Sequence, residues 1–261
     1  MEYVLPGFLL GTVGAFIGRG GVGKSYAGLE MSVMIATGAD LLGLGEHRLG
    51  KVLYLSMEDP AGVIRDRIRA VATRLTGVQI DRLIENLDVR PLVGAGIDIM
   101  DDVWLSAIIS QGAGSRLIVI DTFRRSHLKN ENDSADMGFA LHRLEVIAAR
   151  TGAAVLYLHH SRKGSYYSDS DDQGASRGSS VLADHARWQC FLSLMTEEER
   201  KRGNVPIESR DRVVKLGIHK QNYGPSFQPR WCIRQDDGVL LAWDALTSPR
   251  NGHGGETQHV L

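Results

Sequence analysis

At 261 residues the chain can hold one large α/β domain or two small ones, with ample core to fold unaided. Its 43% hydrophobic and 23% charged residues are ordinary for a globular protein. A formal net charge of −1 excludes a surface that traps polyanions as a whole, so any nucleic-acid contact must be local. Cys190 and Cys232 lie in apolar, strand-like runs without metal-ligand spacing and read as buried free thiols of a reducing compartment. The apolar N-terminus lacks a basic region and carries Glu2 and Pro6, unlike a secretory leader. No run is long enough to span a membrane, and a cytoplasmic location is expected.

The first strong pattern is Val13 to Ser25, VGAFIGRGGVGKS. An apolar strand ends in a complete G-x-x-x-x-G-K-S loop, with a helical pattern immediately after it. Backbone N–H groups of Gly18, Gly20, Gly21, Val22 and Gly23 would form an anion nest. Lys24 would reach the β- and γ-phosphates, and Ser25 would ligate Mg²⁺. Tyr26 to Thr37 reads as a buried helix stopped by Gly38. Lys51 to Ser56 is a second apolar strand. Asp59 and Pro60 then start a helix as cap and first-turn residue, with Val63, Ile64, Ile68, Val71, Ala72 and Leu75 at helical spacing.

Leu87 to Leu92 reads as a strand, Asp101 to Gln111 as a helix, and Leu117 to Asp121 as a fully apolar strand of a parallel sheet. Ser134 to Arg150 carries Met137, Leu141, Leu144, Ile147 and Ala148 on one stripe. Ala153 to Leu158 is the next buried strand, ending at His159-His160. Arg187 to Met195 and Arg212 to His219 are strand-like, and Trp231 to Ala242 reads as a hairpin around Asp236-Asp237-Gly238. Alternating strands and helices require right-handed crossovers, hence an α/β fold with a mostly parallel sheet flanked by helices. Antiparallel strands extend it at the C-terminal edge. One domain over 1–247 is expected, and the polar, glycine-rich 248–261 is expected to be a disordered tail.

Ligands of open parallel sheets collect at the carboxyl ends of the strands. Asp121, closing LIVID, matches a Walker-B acid able to hold Mg²⁺ beside Ser25. Glu58, after the second strand, suits a base for the attacking water, although Asp59 could exchange roles with it. His160 suits a sensor of the γ-phosphate, while His159 points to the other side of the strand and packs. Two polar loops leave these strand ends. One carries Arg124, Arg125, His127 and Lys129. The other carries Arg162, Lys163, Tyr166, Tyr167 and Arg177, together with Asp169, Asp171 and Asp172 that would repel DNA unless turned away. Basic groups in this setting can grip phosphates and tyrosines can stack on bases, and a solvated surface loop has the same composition.

GRGGVGKS, YLSMEDP, LIVIDTFRR, LHHSRKG, ASRGSSVLADHARWQ and IHKQNYGPSF together resemble the RepA replicative helicases of broad-host-range plasmids, from about Tyr3 to about Leu246. These are relatives of the DnaB helicase with a RecA-like P-loop NTPase core. The resemblance implies a homohexamer with ATP and Mg²⁺ between subunits, moving 5′ to 3′ on single-stranded DNA during plasmid replication. Separate plasmid initiator and primase proteins are expected as partners, and no membrane. The resemblance makes Glu58 the base, Asp121 the Walker-B acid and His160 the sensor. Arg187 becomes a finger reaching the neighbouring subunit's ATP, with Arg177 in reserve, and Lys220 also acts across the interface. DnaB relatives carry an arginine two residues after that lysine, whereas Asn222 stands here, which favours Arg187. The relatives also carry a segment before the first strand that packs on the next subunit, whereas this sequence starts almost at that strand, a departure that bears on ring stability and not on fold. An ATP-switched DNA-binding protein without unwinding activity is the alternative. A small-molecule kinase is disfavoured by the base, sensor and finger, and a GTPase by the missing N-K-x-D motif.

Overall fold

The computed structural model describes residues 1–160, 185–224 and 227–243. Its apolar runs become strands buried on both faces. The elements in chain order begin with a small hairpin, β1 (Tyr3–Leu5) and β2 (Phe8–Leu9), followed by β3 (Val13–Gly18) and α1 (Lys24–Thr37). Next come β4 (Lys51–Ser56), α2 (Ala61–Ala72), α3 (Gly77–Asn86), β5 (Leu87–Pro91), α4 (Asp102–Gln111), β6 (Ser115–Asp121), α5 (Ser134–Thr151) and β7 (Ala154–His160). The last third holds β8 (Trp188–Leu194), a short helix α6 (Glu197–Gly203), β9 (Val213–Gln221), β10 (Arg230–Arg234) and β11 (Leu240–Ala242).

Among the described residues one sheet runs in the order β11-β10-β9-β8-β3-β7-β6-β4-β5. The half from β8 to β5 is parallel, and β9, β10 and β11 are added antiparallel at the C-terminal edge. Side chains alternate across the pleat, which explains runs such as LIVI. Val52, Tyr54, Leu117, Val119, Leu156 and Leu158 face α1. Leu53, Leu55, Ile118, Ile120, Val155 and Tyr157 pack with α4 and α5, where Leu105, Ile108, Met137, Leu141, Leu144 and Ile147 meet them. Cys190 and Cys232 are buried free thiols.

Local differences from the sequence reading have physical causes. The helix expected to run through Leu75 stops at Ala72, and α3 starts anew from a capping box in which Thr76 and Gln79 satisfy each other's backbone N–H groups. Val63, expected on the buried stripe, is exposed, while Ile64 and Val71 are buried. Asp59 does not cap α2. Pro60 holds the cap position, and the Asp59 carboxylate pairs with Arg67 at 2.5 Å. The N-terminal hairpin is held by β8, where Phe8 stacks on Trp188 at 4.7 Å and the Trp188 indole donates to the Pro6 carbonyl at 2.9 Å. No helix among the described residues is long and apolar enough to cross a membrane.

Candidate nucleotide site

β3 delivers the chain to the carboxyl edge of the sheet, and α1 begins six residues beyond Gly18 at Lys24. Gly21 and Gly23 have φ of +75° and +104°, in the left-handed region where a side chain would strain the backbone. A Cβ on Gly20 or Gly21 would meet nothing within 4 Å, so the loop borders open space, as a phosphate cradle requires. On the inner side, a Cβ on Gly18 would stand 2.6 Å from the Leu192 carbonyl. The Val22 side chain is buried in the α1-side core, leaving only its backbone for a ligand. α1 has no side-chain cap and no acid in its first turn, so its terminal N–H groups and dipole remain available to an anion.

Lys24 is 4% exposed. Its ammonium donates to the carbonyls of Gly18 (2.7 Å) and Arg19 (2.9 Å) and lies 3.0 Å from His160 Nδ1. Burial lowers its pKa to about 8, against the opposing charges of Asp121 and Glu58. Burial, then the Lys24 charge, also lowers His160, which is therefore neutral at pH 7. With an ammonium offering only protons, Nδ1 is the acceptor. The protonated Nε2 faces Glu58 Oε2 at 3.7 Å.

Asp121 is fully buried. Its Oδ1 accepts from the Ser25 hydroxyl at 3.2 Å and its Oδ2 from the Tyr54 hydroxyl at 2.6 Å. Burial raises this carboxyl to about 6, with the two hydrogen bonds opposing the rise. The peptide bond to Thr122 is cis. The Thr122 hydroxyl donates to Glu58 Oε1 at 3.1 Å, and Arg125 Nε lies 3.9 Å from the same oxygen. Ser25 and Asp121 thus offer a hydroxyl and a carboxylate side by side next to an anion cradle, the hard oxygen donors that Mg²⁺ takes together with phosphate oxygens. These residues fit a Mg²⁺–triphosphate. Among the described residues no cluster of three or more His, Cys, Asp or Glu could hold a metal without such a ligand.

The phosphate loop, Glu58, Asp121, His160 and Arg125 therefore meet at one end of the sheet. Arg124, from the same loop as Arg125, pairs instead with Glu131 at 3.4 Å. His159 is buried on the opposite side of β7, as expected. Arg187 and Lys220 stand elsewhere. The Arg187 N–H donates to the Val13 carbonyl, and Lys220 lies opposite Gln189 on the paired strand. Arg187 marks the amino edge, five residues of β3 from Gly18 or about 16 Å. Gln189 stands beside Ala15, which puts Lys220 level with a point three residues, or about 10 Å, from Gly18. Arg162, Lys163, Tyr166, Tyr167 and Arg177 lie outside the described residues, as does the tail from 248.

Three contributors escaped the sequence reading. Tyr54 looked like one more apolar residue of KVLYLS. Thr122 followed Asp121 without a motif of its own. Arg234, at the end of β10, donates to the Val22 carbonyl in the phosphate loop, a contact 212 positions apart in sequence that only the sheet order creates.

Residues 1–166 match the family described as AAA domain. The chain belongs to the AAA domain family. Among solved structures it is similar to the RadB recombinase at 12% identity, covering 88% of this chain and 90% of that one, with a TM-score of 0.57. It is similar to a KaiC-like protein from Pyrococcus horikoshii OT3 at 16% identity, with coverages of 93% and 98% and a TM-score of 0.56. A DnaB-like replicative helicase, solved in a study of its interactions with primase, matches at 15% identity, with coverages of 90% and 59% and a TM-score of 0.62. The fold is RecA-like, shared by proteins of different activities, and the chain is a P-loop NTPase of that fold.

Proposed function

We propose that the protein is an ATP-driven DNA helicase of the plasmid RepA type, its domain spanning 1–247. It acts as a homohexamer that hydrolyses ATP at subunit interfaces and moves 5′ to 3′ on single-stranded DNA. Plasmid initiator and primase proteins act beside it in the cytoplasm. The observation that carries this reading is the sharing of Glu58. One carboxylate faces both the sensor His160 at 3.7 Å and Arg125 of the basic loop at 3.9 Å. A strand that draws Arg125 to its phosphates releases the catalytic carboxylate, so DNA binding and water activation act on one group.

In this reading the loop N–H groups and Lys24 hold the β- and γ-phosphates, and Ser25 with Asp121 holds Mg²⁺. The ion, when bound, neutralises charge developing on the phosphoryl group. Glu58 takes the proton of the attacking water, and His160 donates from Nε2 when the γ-phosphate is present. Arg187 lies too far from its own phosphate loop to serve it. Supplied by a neighbour, it would make hydrolysis depend on assembly. Arg124, Arg125, Arg162 and Lys163 grip the strand, and Lys220 acts beside Arg187.

Strand displacement on forked DNA with ATP, run beside Lys24→Ala, tests this. Displacement by the wild type and none by the variant is expected. Hydrolysis stimulated by single strands without displacement at any protein concentration would instead favour an ATP-switched DNA-binding protein.

A further inference from the structure

Tyr54 occupies the middle of β4 and is fully buried on the face toward α1. Its neighbour across the ladder is Val119, and Asp121 lies two residues further along β6, about 7 Å up the strand. A phenol is long enough to cover that distance inside the core and to end in an uncharged donor. The Tyr54 hydroxyl lies 2.6 Å from Asp121 Oδ2 and 3.2 Å from the Ser25 carbonyl. It has one proton, and the shorter contact to the carboxylate takes it. An ordinary phenol carries its proton at neutral pH, so the hydroxyl is a donor.

We propose that Tyr54 is a positioning residue for the Mg²⁺ site, committing Asp121 Oδ2 to the core so that Oδ1 is the oxygen presented beside the Ser25 hydroxyl. A carboxylate on a short side chain can rotate about its Cβ–Cγ bond. Without a fixed partner for one oxygen it offers the ion a mixture of orientations. Here the partner comes from the strand next to β6 and also touches the first turn of α1. The phenol thus ties together the three elements that must hold register for Ser25 and Asp121 to meet. Partners that orient a metal-binding group in this way affect metal affinity by about 10- to 100-fold.

The inference rests on reading Ser25 and Asp121 as the Mg²⁺ donors of a nucleotide site, and its test separates the two. Tyr54→Phe keeps the ring and its packing and removes only the donor. Binding of a fluorescent ATP analogue would be titrated in EDTA and over a Mg²⁺ series, with circular dichroism as the check on folding. The variant is expected to bind in EDTA within about twofold of wild type but to need about tenfold more Mg²⁺ for its half-maximal response. An unchanged Mg²⁺ response in a folded Tyr54→Phe overturns the role of Tyr54 and leaves the nucleotide site standing. A wild type whose nucleotide binding ignores Mg²⁺ overturns the site reading itself. Because Tyr54 acts through Asp121, Tyr54→Phe should add no further loss in an Asp121→Asn background, and an additive loss would also count against the proposal.

Discussion

Lys24 Nζ stands 3.0 Å from His160 Nδ1, so the lysine that opens α1 and the histidine that ends β7 are in direct contact. This pairing of a buried ammonium with a neutral imidazole, with Lys24 lowered to about 8, has a consequence for binding. At pH 7 Lys24 is charged both before and after a triphosphate binds. At pH 9 it is mostly neutral in the free protein, and the phosphate charge draws a proton onto it. Nucleotide affinity should therefore fall as pH rises above about 8. Calorimetric titrations in buffers of different ionisation enthalpy should show proton uptake at pH 9 and little at pH 7.

Glu58 faces Thr122, Arg125 and His160, and in the proposed mechanism only the carboxylate form can accept the proton of water. Glu58→Gln preserves shape and the Thr122 hydrogen bond. Turnover should drop by about 10²- to 10⁴-fold, with Mg²⁺–ATP affinity close to that of the wild type. A steady-state ATPase assay paired with equilibrium nucleotide binding measures both quantities. Equal losses in the two would point to a collapsed site.

Arg187 lies at the amino edge of the sheet, against Val13, and its own phosphate loop is at the far end of β3. Arg187→Ala should bind nucleotide normally and lose turnover. Mixing it with Lys24→Ala should restore part of the activity, because some interfaces then combine an intact phosphate loop with an intact arginine. A wild-type protein that sediments as a monomer, with a rate per subunit independent of concentration, is incompatible with a finger supplied in trans.

Glu30 is 1% exposed on α1, and its Oε1 accepts from the Leu240 N–H at 2.7 Å. Burial raises its pKa to about 8 from an ordinary 4.5. The folded state therefore holds a proton that the unfolded state releases between those values, and this contribution to stability is lost as pH rises from about 4.5 to about 8. Glu30→Gln keeps an oxygen for Leu240 and cannot ionise. Its Tm should exceed that of the wild type at pH 8, with the difference shrinking toward pH 5 in a thermal denaturation series.

Much of the fold was legible because its signals are local. Strands buried on both faces carry unbroken apolar runs, as in LIVID, and α5 shows its core stripe at helical spacing. The misses followed the same logic. The capping box from Thr76 to Gln79 was present in the chain but lay inside a pattern that read as one continuing helix. Phe8 gains its meaning from Trp188, 180 positions away, where a stacked pair holds the N-terminal hairpin.

The sequence by itself determined the phosphate loop and the positions of Glu58, Asp121 and His160 at strand ends. A strand that stops and a helix that starts leave short-range marks in residue type, and the chemistry of each group is intrinsic to it. Which groups touch was decided only by the tertiary structure. Sheet order sets β4 beside β6 and so brings Tyr54 to Asp121, sends His160 to Lys24 and Arg125 to Glu58, and carries Arg234 from the last hairpin to Val22. It also separates Arg187 from its own loop by the length of β3. Those relationships depend on the pairing of distant strands, where hydrogen-bonded ladders and shared burial, not neighbouring residues, set the distance between two side chains.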